Sequence, residues 1–589
     1  MSIAYEISIS RERQHTFEVV LHIAQPLALQ ELSLPAWIPG SYLIREFTRH
    51  LGPLTARQGR KACAIVQREK ALWQVQCKGP MPLEVRYCVY AHDASVRTAW
   101  LEASRGFFNP TSVCLQVQGQ TDEPHQIFLN TPHQAQDWRV VTGARPLKVD
   151  RAGWGSYQFD DYDDLADSPF EMGPLWRAHF DVAGVPHQFA VAHPPPTFDG
   201  ERLARDAQAI VNAQIRFWHG RKKPPHDRYA FLLATIDEGY GGLEHRFSTA
   251  LICKRADLPR QGETTTSEGY QDLLGLISHE YFHTWNVKRM RPADLARYDY
   301  RQENYTDLLW FFEGFTSYYD DVLLVRAGLL GPEAYLKRLS KTLQQVAGTP
   351  GRQQQSVAQA SFEAWTRYYR PDENTLNSTV SYYTKGSLVA LCLDLTLRQE
   401  GQGNLDQVMR LLWQTSKGGP ITEGDIATAL QTIGGRSFQS ELKQWVHGTK
   451  ELPVAELLAL QGVKLRTEPA SIDHRLGLKA QEDRGLRISH VVAGSVAERA
   501  GFAPGDEWLG LEVGKGAQVS AWRVHKWSDL GLLALPNTPV VALIARDKRL
   551  LRLTLRLPPN GPTAHPADKV ILGVAEPLLL RSWLAPAND

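Results

Sequence analysis

His279 and His283 stand four residues apart, with Glu280 directly after the first, at the end of the apolar run Leu273-Leu274-Gly275-Leu276-Ile277. The run predicts a helix, and residues four apart on a helix share a face. Both imidazoles can therefore grip one ion, expected to be Zn²⁺ at one per chain, while Glu280 points at its open coordination position. A third protein ligand is needed if one position is to stay free for water. Glu313 is the candidate, because it lies inside the apolar segment Leu308-Leu309-Trp310-Phe311-Phe312-Glu313-Gly314-Phe315. A carboxylate buried there costs several kcal/mol unless a cation or hydrogen bonds offset it. Zinc would do so directly; pairing with an Arg or Lys is the plainer alternative, and Glu303 and Asp307 are rival ligands in a more polar stretch. Gly314, with no side chain, would let this helix approach its neighbours closely. The metal would lower the pKa of bound water and polarise a scissile carbonyl, and Glu280 would take the water's proton and pass it to the departing amine.

Several elements must position these residues. At 589 residues the chain exceeds one hydrophobic core, and 43% apolar with 22% charged residues is an ordinary globular balance. With 65 basic against 64 acidic side chains there is no global field for nucleic acid or an anionic membrane. Six scattered cysteines form no Cys-x-x-Cys pair and are expected to be buried free thiols. The first residues reach charges before any apolar run long enough for a secretion signal, and no later run approaches the ~18 apolar residues of a membrane span. The cytoplasm is the expected location.

Residues 1–172 read as a β-rich domain, with alternating runs at Phe17–Ile23 and Leu83–Tyr90 separated by Gly, Pro and Asn. The Pro- and Gly-containing loop from Leu34 to Tyr42 interrupts them as a rigid aromatic segment. Residues 173–334 mix strands such as Tyr229–Thr235 with long apolar helical stretches, and 335–459 carry helical periodicity. There Thr422-Glu423-Gly424-Asp425 predicts a capping box opening a helix that stops at Gly434-Gly435, and 347–355 predicts a mobile loop. Residues 460–558 return to short strands and Gly turns, followed by a tail over 559–589.

The string His279-Glu280-Tyr281-Phe282-His283-Thr284-Trp285-Asn286-Val287-Lys288-Arg289, with Trp310-x-x-Glu313-Gly314 after it, resembles peptidase family M61, the glycyl aminopeptidases, gluzincin relatives of aminopeptidase N. The resemblance spans nearly the whole chain. It implies a multidomain α+β protein with an N-terminal β domain, a thermolysin-like catalytic domain with a helical segment, and a C-terminal PDZ-like domain. Residues 284–312 separate the second histidine from Glu313, a longer gap than in aminopeptidase N, as M61 has it.

Two further motifs follow from the resemblance. Gly241-Gly242-Leu243-Glu244-His245, by itself only a turn, is similar to the Gly-x-Met-Glu-Asn signature of aminopeptidase N relatives, with Leu243 and His245 as departures. Its glycines would let a substrate backbone lie alongside as an added strand, and Glu244 would bind the free α-amino group. Tyr383-Thr384-Lys385-Gly386 is similar to a motif whose tyrosine stabilises the oxyanion, a contribution of ~3 kcal/mol; by spacing alone Tyr382 could serve instead. The family likeness further implies small first residues, Gly or Ala. In the last domain Leu476-Gly477-Leu478 resembles the carboxylate-binding loop of a PDZ module, whose partner would be a peptide C-terminus. Arg475 would either help capture that carboxylate or be solvated.

The leading expectation is thus a zinc-dependent aminopeptidase acting on peptides with a free N-terminus, with Trp37 and Tyr42 walling the entrance. A zinc endopeptidase and a non-catalytic PDZ-type peptide scaffold are the alternatives, and neither nucleic acid nor membrane is an expected partner.

Overall fold

Alternation of apolar and polar side chains builds the first unit. In Thr16–Ile23 every second residue, Phe17, Val19, Leu21 and Ile23, is buried. This strand runs antiparallel to Leu83–Tyr90, with Phe17 opposite Val89 and Ile23 opposite Leu83. Both lie in the middle of an eight-stranded sheet, which shares a core around Tyr5, Phe17, Trp73 and Phe108 with two four-stranded sheets. The computed structural model describes residues 3–132, 137–559 and 568–586.

The second unit opens with a five-stranded sheet: β1 (Trp176–Val182), β2 (Val185–Ala192), β3 (Tyr229–Ile236), β4 (Gly241–Glu244) and β5 (Ser248–Lys254), in the order β1-β2-β3-β5-β4. The buried run of β3 lies parallel to both neighbours, whereas β4 runs antiparallel to β5 and forms an edge. The helices that matter for the site are α1 (Gly200–His219), α2 (Glu268–Phe282), α3 (Leu309–Phe312), α4 (Gly314–Arg326) and α5 (Thr384–Gln399). Ser267 starts α2 by accepting a hydrogen bond from the Tyr270 amide at 3.1 Å, satisfying one of the amides a helix start leaves unpaired. Gly314 and Gly386 allow α4 and α5 to meet backbone to backbone: a Cβ on Gly314 would stand 2.6 Å from the Gly386 Cα. The close approach expected at Gly314 is therefore present, and its partner is the helix that follows Tyr383.

The capping box at Thr422 and Asp425 is formed, and Gly435 closes that helix with a φ of 67°. The stretch 347–355 differs from the expected mobile loop. It contains a 3₁₀ turn, Pro350–Gln353, and Gly351 packs so tightly that a Cβ would stand 2.4 Å from the Thr379 amide nitrogen.

The aromatic loop of the first unit crosses into the second. Ala36 donates its amide to the Tyr300 carbonyl at 2.7 Å, and the Trp37 indole donates to the Asp299 carbonyl at 2.8 Å. Trp37 and Tyr42 are buried in the large core shared with α2 and α4, so they do not wall the entrance as expected; their hydrophobic area is spent on joining the two units.

Near the C-terminus Val463–Glu468 pairs antiparallel with Lys569–Val574. A small β-rich unit with its own core around Trp508 and Leu511 lies between these two strands. Beyond them α6 (Pro577–Leu584) returns to the main body, burying Leu580, Trp583 and Leu584. The expected tail therefore carries a strand and a helix; its residues 560–567 and 587–589 lie outside the described residues. Arg475 is neither solvated nor open to a ligand: it is buried, with Nε 3.3 Å from Asp568.

Candidate metal centre

Helix α2 delivers His279 from its last turn and His283 from its C-terminal cap. Glu313 sits at the break between α3 and α4. The three Nε2, Nε2 and Oε2 atoms form a nearly equilateral triangle: 3.1 Å between the histidines, 3.4 Å from His279 to Glu313 and 3.2 Å from His283 to Glu313. Tetrahedral bonds of about 2.0–2.1 Å to one zinc ion require ligand atoms about 3.3 Å apart, so the trio fits that ion.

The far side of each imidazole supports the same assignment. His279 Nδ1 lies 3.1 Å from Asp320 Oδ2, and His283 Nδ1 lies 2.8 Å from the Asn286 carbonyl. Both partners accept only, so the ring protons belong on Nδ1 and the Nε2 lone pairs face inward. Glu313 Oε2 is buried and has no hydrogen-bond donor. Three electron-rich atoms thus converge, and positive charge is what such a cluster favours between them. Asn286 is fixed in turn, donating to the Phe312 carbonyl and Thr316 Oγ1, each at 3.1 Å. Val287 beside it holds a φ of 118°, a strained value for a β-branched residue.

Electrostatics point the same way. Burial works against charge on His279, but Asp320, Glu313 and Glu280 outweigh it and push its pKa well above the imidazole norm. Burial also opposes the Glu313 carboxylate, which His283 and His279 hold below the usual range. Glu280 goes the other way: burial raises its pKa, with the two histidines only restraining the rise.

The trio opens on a cleft of about 270 Å³ that is also lined by Gly242, Glu244, Glu280 and Tyr383. Gly242 of β4 lies directly over the presumptive base, where a Cβ would come within 2.1 Å of Glu280 Oε1. Gly40, from the aromatic loop of the first unit, lies almost as close to Glu244, 2.5 Å from Cβ to Oε1. The strand β4 is an edge strand that lines the cleft, with its Gly242 carbonyl bonded to Arg97. Tyr383 lines the cleft, whereas the Tyr382 hydroxyl is buried without a partner. Burial, then Glu313, raises the Tyr383 pKa well above its usual value, so its hydroxyl keeps its proton and can donate. A second trio, Glu244, Glu280 and His283, also has its ligand atoms within 4.8 Å. It shares His283, but the lone-pair triangle with matching outer hydrogen bonds is the first. Neither group contains Glu303 or Asp307.

His245 turns away from the cleft: it lies 3.1 Å from Asp167, which also pairs with Lys288 at 2.7 Å. Five cleft residues were not singled out from the sequence: Gly40, Arg97, Tyr240, Ser317 and Asp320. For Asp320 a signal existed, since it follows Glu313 by two helical turns and so shares its face.

A family model described as M61 glycyl aminopeptidase matches residues 272–389, and one described as the peptidase M61 N-terminal domain matches residues 4–174. Among solved structures, an aminopeptidase N family protein from Idiomarina loihiensis is 35% identical, with a TM-score of 0.92, over 99% of this chain and 100% of that one. An M1 zinc metallopeptidase from Deinococcus radiodurans is 15% identical, with a TM-score of 0.48, over 77% of this chain and 95% of that one. No curated protein matches the chain.

Proposed function

The chain belongs to the M61 glycyl aminopeptidase family and is a metallo-aminopeptidase, and we propose that it releases the first residue of peptides, using one zinc ion held by His279, His283 and Glu313. The observation that carries this reading is the triangle of ligand atoms 3.1–3.4 Å on a side, opening on the same cleft as the Glu244 carboxylate. When bound, the ion would polarise the scissile carbonyl and acidify a water molecule. Glu244 binds the substrate ammonium, and the edge of β4 takes the substrate backbone as an added strand. Glu280, with its pKa raised by burial, accepts the water's proton and returns it to the leaving amine. Tyr383 donates a hydrogen bond to the oxygen on which negative charge develops.

The first residue is read as small, Gly or Ala, as the family likeness implies. The unit between the ribbon strands is read as a PDZ-like module. Leu478–Glu482 is an edge strand there, and Gly477 before it takes a φ of 77°; its partner would be a peptide C-terminus. The absence of a disulfide among the six cysteines, all of them described, suits a reducing compartment, the cytoplasm. No described helix is long and apolar enough to cross a membrane.

The test is hydrolysis of alanyl peptides with free and N-acetylated first residues, with and without chelator. Acetylation and chelation should each abolish turnover; equal cleavage of the acetylated peptide would make the enzyme an endopeptidase. Glu280→Gln should keep the metal and lose activity.

A further inference from the structure

The cleft is lined by one arginine, Arg97, that forms no ion pair with the carboxylates around it among the described residues. Arg97, from the first unit, reaches over the edge of β4. Its Nη2 donates to the Gly242 carbonyl at 3.2 Å, and a Cβ on Gly241 would stand 3.8 Å from Nη1. No described carboxylate pairs with the guanidinium, and its Nε is buried without an acceptor. A neighbouring charge is Arg45, whose pKa falls to about 10, first through burial and then through the field of Arg97, with Tyr369 and Asp93 only partly compensating. Arg45 is held by Ser41 Oγ at 2.6 Å, and its own Nε is also buried and unpaired. Arg97 lines the cleft with a second guanidinium, that of Arg45, in its field, and the planar fork of an arginine without a carboxylate partner fits a carboxylate in particular.

The position of Arg97 relative to Glu244 decides which carboxylate. Glu244 and Gly242 are two residues apart on one strand, about 6.6 Å at the usual rise. A peptide laid antiparallel along β4, with its amine at Glu244, advances at the same rise. Its second or third residue reaches the register of Gly242, where Arg97 waits. A longer peptide has only an uncharged amide to offer there. We infer that Arg97 receives the C-terminal carboxylate of a di- or tripeptide, so that the enzyme prefers short peptides with both ends free. This rests on the reading of Glu244 as the ammonium site. It adds a second charge reading at the opposite end of the substrate, which makes the cleft a ruler for peptide length.

The experiment compares kcat/KM for Ala-Ala-Ala as the free acid, the same peptide as its C-terminal amide, and an alanyl anilide, in the wild type, Arg97→Gln and Arg97→Lys. The wild type should prefer acid over amide by about tenfold or more, as expected for hydrogen bonds to a charged group. The preference should come mainly from KM, since this carboxylate is bound alike in ground and transition states. Arg97→Gln should bring the ratio close to one, and Arg97→Lys should restore part of it. A wild-type ratio near one overturns the inference. So does an Arg97→Gln enzyme that loses acid and amide turnover in equal proportion, which would make Arg97 only a brace for Gly242. If the anilide too is untouched by the zinc-loaded wild type, the aminopeptidase reading itself falls and takes this one with it.

Discussion

Replacing Gly242 by Ala probes the base without touching the metal. The added Cβ would lie 2.1 Å from Glu280 Oε1, 2.4 Å from Cδ and 2.6 Å from Cγ, whereas ordinary contact begins at 3.4 Å. The carboxylate must therefore retreat by about 1.3 Å to reach normal van der Waals separation. It has little room, because Glu280 is only 5% exposed and its Cα is fixed in α2. Gly242 has no left-handed φ, so alanine adds no dihedral strain there, and pairing with Leu251 of β5 holds the strand in place. A displacement of about 1 Å at a reacting group costs on the order of 10²-fold in rate. None of the three presumptive ligands is among the nearest atoms to the new methyl. We expect kcat for an alanyl anilide to fall about 100-fold, with zinc content unchanged. A variant that binds zinc and keeps kcat within a factor of two or so would show that Glu280 is not the base. Loss of zinc along with activity would refute the separation of base from ligands.

Four other outcomes follow from the same geometry. Tyr383→Phe should lower kcat by about 10²–10³ with metal retained, while Tyr382→Phe, which deletes a hydroxyl that has no partner, should leave it nearly unchanged; equal effects would undo the assignment. Asp320→Ala removes the acceptor for His279 Nδ1 and should weaken zinc binding by about 10–100-fold in competition with a chromogenic chelator. Asp167 resists burial because Lys288, His245 and Arg246 hold its pKa well below the carboxylate norm. A depressed carboxylate stabilises the fold above its unfolded value, about 3.9, and loses that contribution as pH falls toward the folded value. The wild-type Tm should therefore drop more steeply below about pH 4 than that of Asp167→Asn, and parallel curves would contradict the reading. Trp583→Ala empties a site in the main core and removes the indole donor to the Tyr318 oxygen, whose hydroxyl still donates to Asp394; a loss of about 3–5 kcal/mol in urea unfolding is expected, and less than about 1 would mean α6 is not part of that core.

The legible parts of this chain are those whose partners lie close in sequence or whose residue type is wrong for its surroundings. His279 and His283 share a face because a helix has a fixed period, and Glu313 stands out because a carboxylate inside Trp-Phe-Phe needs a cation. The strands at Phe17 and Leu83 announce themselves by alternation, and the helix at Thr422 by its cap. What escaped is what another unit supplies. Gly40 meets Glu244 and Arg97 meets Gly242 across long stretches of chain, and neither a glycine after proline nor one arginine among many carries a mark of its destination. Trp37 and Tyr42 were visible as a rigid aromatic loop, but rigidity and bulk say that a loop is anchored, not which of its residues reaches the cleft. Large aromatics gain most by burial, so they became the anchor, and the glycine between them was left to approach the carboxylate. The helix α6 was hidden by the Pro-rich stretch before it, which reads as an ending, although Leu580, Trp583 and Leu584 follow the helical spacing of a buried face. The cleft is accordingly a product of two units. The second supplies the residues proposed as ligands and base, each recoverable from local pattern, and the first supplies Gly40 and Arg97, which only the packed interface reveals.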